Sequence, residues 1–127
     1  MKRLFMIANR LPLEVSKLEG EIEIVPRRDG FSSGLKRFYE SFDIKWIGRA
    51  GLDINEISEN EKMKIDNHFR SGNCIPVYLD QELKQEYLEG FCDNTLWPVF
   101  NYFTQKAQYE TSYWEAYRHV NQLYADL

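Results

Sequence analysis

The stretch MKRLFMIANRLP, Met1 to Pro12, decides how the rest of the chain is read. Its apolar run, Leu4 to Ala8, has the length and composition of a buried strand. Pro12 has no N–H for a sheet ladder and steers Leu11 away from the helical region, so the strand is expected to stop about there. Arg10 then stands at the carboxyl end of a buried strand, where open α/β sheets place their ligands. Two roles fit it at this point. It is either a surface cation at a strand end or a planar fork that clamps a phosphate or carboxylate.

Working outward, Leu13–Val15 and Glu21–Val25 flank Lys-Leu-Glu-Gly, and Glu21-Ile22-Glu23-Ile24 alternates polar with apolar. That pattern predicts a β-hairpin with Gly20 in its turn and the paired carboxylates of Glu21 and Glu23 on the exposed face. Arg27 to Gly30 reads as a loop, and Phe31-Ser32-Ser33-Gly34 leads into a helix over about Leu35 to Ser41. Lys45–Gly48 reads as a second strand running into Arg49-Ala50-Gly51. A polar helix from about Ser58 to Arg70 has Ser58 and Glu61 at capping-box spacing and Gly72 beyond its end. Cys74–Leu79 is the third core strand, and Asp80 caps a helix to about Glu89, with Gly90 as its stop. Ser112 and Glu115 match a second capping box, and Trp114, Tyr117, Val120, Tyr124 and Leu127 recur at helical spacing. Strands alternating with helices imply an α/β fold with a mainly parallel sheet and a β-hairpin. The last helix has no stop signal by Leu127, so the chain is expected to be part of a larger domain.

Composition bounds the function. At 127 residues with 43% hydrophobic side chains, the chain is large enough to bury a core and is not of the disordered class. A net charge of −4 with both signs interspersed leaves no basic footprint for nucleic acid. No apolar run reaches a membrane span, and Cys74 and Cys92 are too few for a disulfide framework. A reducing, cytoplasmic setting is expected. Eight Tyr, eight Phe and three Trp, concentrated after position 87, suit either a core or a sugar-stacking surface.

Among the side chains that can carry chemistry, the Ser-Ser-Gly loop before Leu35 presents backbone N–H groups and a positive dipole end to an anion, or serves as an ordinary cap. With Arg10 it could frame one anion crevice. His68 on a polar helix is expected in solvent, and His119 beside an apolar stripe is expected to be structural. Neither has the ligand spacing of a zinc site, and no nucleophile elbow, Walker loop or GxGxxG is present. Trp97-Pro98 reads as a packed turn, or as a sugar platform.

The order of segments adds a resemblance. IANRLP, SGL, KWIGRAG, PVYLD, EYLEGFCDNTLWPVFNYF and YWEAYRHVNQLYAD follow one another as in the N-terminal part of the trehalose-6-phosphate synthases of glycosyltransferase family 20. The resemblance implies a two-domain GT-B enzyme whose Rossmann-like N-terminal domain supplies most of the acceptor site and whose C-terminal domain binds UDP-glucose. Residues 1–127 would be an incomplete N-terminal domain, with the donor domain and the histidine and aspartate that the family carries on the next strand beyond Leu127. The implied reaction passes glucose to glucose 6-phosphate with retention, without metal or other cofactor. Arg10 aligns with the arginine that grips the acceptor phosphate. Gly34 aligns with the second glycine of the family's GGL loop at the donor diphosphate, and Trp97 with the tryptophan lining the acceptor pocket.

The chain departs from the family pattern at Ser33 (glycine in GGL), Arg49 (tryptophan in G-W), Leu88 (tyrosine in EYY) and, less consequentially, Asn101 (histidine). Loss of the tyrosine hydroxyl at Leu88 would weaken acceptor binding about ten- to a hundredfold. Arg49 either offers the phosphate a second cation or signals another acceptor. Three functions therefore stand: a synthase acting on glucose 6-phosphate, a GT-B transferase with a different acceptor, and a non-catalytic family member. Residues 1–127 alone are expected to be inactive and to self-associate through an uncovered face.

Overall fold

The computed structural model describes residues 1–28, 38 and 40–127. Ser33, Gly34 and the start of the helix expected over Leu35–Ser41 lie outside the described residues. The chain divides into two compact units, Met1–Tyr78 and Leu79–Leu127.

In the first unit, β1 (Arg3–Arg10) runs parallel to β4 (Asp43–Asp53), and with β5 (Cys74–Leu79) they form a sheet of order β1-β4-β5. The second strand expected over Lys45–Gly48 thus runs on through Arg49 to Asp53. β2 (Leu13–Leu18) and β3 (Glu21–Pro26) form a separate antiparallel hairpin. Its turn residues, Glu19 and Gly20, have φ of 50° and 82°, the left-handed pair that a two-residue hairpin turn demands.

Helix α1 (Glu59–Ser71) starts on the capping box that its sequence announces: Glu61 N–H donates to Ser58 Oγ, and Ser58 N–H donates to Glu61 Oε1. The Ser58 N–H, followed by Lys17, holds the Glu61 carboxyl below the usual carboxylate range. One face of α1 buries Ile65 and Phe69 against Leu11, Val15, Ile44, Trp46 and Cys74, and this is the core of the unit. β1 is less enclosed than its apolar run suggests. Leu4, Met6 and Ala8 pack on the core, whereas Phe5 and Ile7 are 58% and 68% exposed. Burial of Cys74 pushes its thiol up to about 11, so few molecules carry the reactive thiolate at neutral pH. Iodoacetamide at pH 8 is therefore expected to label Cys74 only as fast as the unit opens. Labelling at the rate of a free peptide thiol, followed by mass spectrometry, would contradict that.

The second unit departs further from expectation. α2 (Gln81–Lys84), capped by Asp80, passes without interruption into a π-helical stretch, Gln85–Leu96, and then into α3 (Trp97–Phe100). Gly90 does not stop the helix, because its missing side chain serves packing. A Cβ there would lie 2.6–2.8 Å from the Tyr113 ring on α4 (Thr111–Ala125). Trp97-Pro98 is helical rather than a turn. Pro98 lacks the N–H that an α-helical register would send to the Asn94 carbonyl, and Gln108 N–H takes that carbonyl instead at 2.7 Å. The Thr95 hydroxyl donates to the Gln108 carbonyl, tying the loop after α3 to the helix from both sides. α4 begins at Thr111 after Glu110, with no side-chain cap bond, so the Ser112–Glu115 capping box does not form. The helix also ends at Ala125, leaving Leu127 outside the stripe. The first turns of α4 are set by packing instead: Tyr117 and Trp114 meet Phe91 at 4.5 Å and 5.5 Å between ring centres.

α3 closes with Tyr102 N–H on Val99 O and Phe103 N–H on Pro98 O, the paired bonds of a Schellman turn. The left-handed position of that turn, φ 64°, holds Tyr102, which is 93% exposed and packs on little. Tyr102→Gly is expected to stabilise the chain by about 0.5–1 kcal/mol, visible as a higher Tm by calorimetry. A lower Tm would show that the exposed ring contributes more than the turn costs.

Candidate functional site

The site begins as a backbone irregularity. β1 and β4 run in constant register from Arg3 opposite Asp43 to Ile7 opposite Ile47, and then Arg10 falls opposite Arg49. Ala8 and Asn9 together therefore oppose Gly48 alone, which is a one-residue bulge in β1. The bulge carries the backbone of β1 over Gly48. A Cβ on Gly48 would lie 2.9 Å from Ala8 O, 3.1 Å from Arg10 C and 3.1 Å from Leu11 N. Past the bulge the chain turns in, with Leu11 fully buried and Arg10 exposed at the carboxyl end of the strand. Bulges commonly re-aim a side chain beside a site, and here the re-aimed side chain is a guanidinium.

Arg49 lies inside β4 rather than at its end. It is only 6% exposed, and its Nε donates to Asn9 Oδ1 at 2.8 Å. The structure thus brings Arg10 and Arg49 together as register partners and adds Asn9 between them. Sequence reading passed over Gly48 and left Asn9 without a role. An isolated glycine inside the strand Ile47-Gly48-Arg49 is the signal that pointed to close backbone approach.

Two further candidates lie in the second unit. Leu88 is half-buried in the π-helical stretch. Trp97 heads α3, is 57% exposed, and lies parallel to Phe103 with ring centres 6.2 Å apart and 4° between planes. Lys106 Nζ sits 5.4 Å from the Phe103 ring centre. A polar cleft of about 280 Å³ in the same unit is lined by Gln85, Glu86, Glu89, Gly90, Asn94 and Tyr113, and includes neither Leu88 nor Trp97. His68 and His119 are both exposed. Among the described residues no group of three or more His, Cys, Asp or Glu is placed to hold a metal ion, and no helix is long and apolar enough to cross a membrane. Ser33 and Gly34 lie outside the described residues.

Comparison with known proteins gives this geometry a context. The family model described as glycosyltransferase family 20 matches residues 2–127. A UDP-forming alpha,alpha-trehalose-phosphate synthase of Emericella nidulans is 34% identical over 125 residues, covering 97% of this chain and 24% of the relative. One from Arabidopsis thaliana is 34% identical over 134 residues, covering 99% of this chain and 14% of the relative. Among solved structures, a UDP-forming alpha,alpha-trehalose-phosphate synthase from Burkholderia xenovorans in complex with glucose-6-phosphate aligns over 99% of this chain and 25% of its own, with a TM-score of 0.61 and 21% identity. An E. coli structure bound with UDP-2-fluoro glucose aligns over 98% of this chain and 24% of its own, with a TM-score of 0.67 and 23% identity. The chain spans about a quarter of the length of most of these relatives.

Proposed function

This chain belongs to glycosyltransferase family 20, and from that premise we propose that it forms the acceptor side of an enzyme that transfers glucose from UDP-glucose to glucose 6-phosphate, retaining the anomeric configuration. The observation that carries the reading is the bulge in β1, which leaves the Arg10 guanidinium exposed at the carboxyl end of a parallel strand. That is where α/β sheets bind ligands, and a guanidinium there makes charge-assisted, bidentate bonds to a phosphate. Trp97, whose ring is 57% exposed, and Leu88 are assigned to acceptor binding by the family positions that they occupy. Gly34 and Ser33 are assigned to the donor diphosphate by the family positions that they occupy. The donor domain belongs to the part of the family's length that residues 1–127 do not span. Catalysis of this kind is mostly the positioning of two substrates across two domains, so residues 1–127 by themselves are expected to transfer nothing. The enzyme is read as cytoplasmic, and self-association of the 127-residue chain is assigned to the uncovered face of β1 at Phe5 and Ile7.

The test is UDP release by the encoded polypeptide that contains these residues, given UDP-glucose with glucose 6-phosphate and each alone. Release that requires glucose 6-phosphate supports the reading, and no release with that pair overturns it. A second reading, a transferase with another acceptor, draws on the inward-turned Arg49 and the half-buried Leu88. Under it, the Arg49→Trp, Leu88→Tyr double variant gains turnover with glucose 6-phosphate, whereas unchanged turnover counts against it.

A further inference from the structure

We propose that Arg49 is a positioning residue whose buried guanidinium locks the Asn9 amide, so that Asn9 Nδ2 and Arg10 together clamp the oxyanion of a phosphorylated sugar. The proposal deepens the reading of Arg10 given above and rests on it.

The polarity of the contact follows from chemistry. A guanidinium only donates, so the Asn9 atom 2.8 Å from Arg49 Nε is the carbonyl oxygen, and the orientation of the amide is decided. With Oδ1 committed to Arg49, both Nδ2 hydrogens remain as donors on an exposed residue adjoining Arg10. Asn9 alone would present either end of its amide to a ligand. Asn9 held by Arg49 presents donors, which suits an oxyanion.

Rigidity comes from the sheet. Arg49 is 6% exposed within β4, and Asn9 lies in the bulge that Gly48 makes possible. The bond joins two positions 40 residues apart across neighbouring strands. Arg49 therefore acts on the ligand through Asn9, not by touching it.

The experiment uses the 127-residue chain, labelled with ¹⁵N and titrated with glucose 6-phosphate, with inorganic phosphate as a second probe and glucose as the uncharged control. The Asn9 Nδ2 pair and the Arg10 Nε–H are expected to shift together with one Kd for both phosphates and not to move with glucose. Asn9→Ala and Asn9→Asp are each expected to weaken glucose 6-phosphate about tenfold. Asn9→Asp retains an acceptor for Arg49 and keeps the thermal midpoint, and Asn9→Ala controls for its added charge. Arg49→Met is expected to weaken binding at least about threefold, and Arg49→Lys, still a donor-only cation, to recover most of it. If Arg10 responds to glucose 6-phosphate while Asn9→Ala binds with the parent's affinity, the clamp is overturned and the Arg10 reading stands. If Arg10 does not respond in the parent chain, the Arg10 reading fails and takes the clamp with it. The Asn9 variants decide the matter even if Arg49→Met does not fold.

Discussion

Gly48→Ala is expected to destabilise the first unit by about 3 kcal/mol, a large fraction of the stability of a small domain. The reason is the identity of the atoms that the new methyl group meets. Ala8 O at 2.9 Å, Arg10 C at 3.1 Å and Leu11 N at 3.1 Å are all backbone, so no side chain can swing aside. Relief requires β1 to lift from β4 or the bulge to vanish, and either change drags Leu11, 1% exposed, out of the core. Urea unfolding should show a lower midpoint with an unchanged slope. A loss under about 0.5 kcal/mol would mean that the strands separate freely at this point, and the bulge would no longer explain where Arg10 stands.

Such a site was only partly legible in the sequence. β1, β5, α1 with its capping box and the Glu19-Gly20 hairpin turn rest on local signals, and local signals survive folding. The second unit shows where they fail. Gly90, Pro98 and Ser112 are each ordinary helix punctuation, yet each is overridden by a contact with a distant partner: Tyr113 over Gly90, Gln108 on the Asn94 carbonyl, and the rings of Phe91 and Trp114 setting α4. A π-helical stretch also has no periodicity cue in a reading built on 3.6 residues per turn. At the site itself, Arg10 could be placed because a strand end is local. Arg49 could not, because its partner Asn9 lies 40 residues away across the sheet. The same non-local pairing hid Gly48, whose need is created by an extra residue in the opposite strand.

Arg10→Met should separate chemistry from scaffold in the opposite sense to Gly48→Ala. The side chain is exposed, with its backbone still held in the β1 bulge, so stability should change by no more than about 0.5 kcal/mol. Glucose 6-phosphate affinity should fall about a hundredfold or more. A bond to a charged group contributes on the order of 1.5–3 kcal/mol, and a guanidinium can make two in parallel to one phosphate. Arg10→Lys should recover only part of the loss, because an ammonium supplies the charge without the planar fork. Titration calorimetry on the encoded polypeptide, paired with its thermal midpoint, reads both quantities. Full affinity in Arg10→Met would assign Arg10 to the surface-cation role that its sequence position equally allowed. Lost affinity in a variant that unfolds like the parent would leave the bulge as scaffold and the guanidinium as the acceptor's grip. Recovery by lysine to the parent's level would show that charge alone suffices, and the two-point geometry would then have no part in recognition.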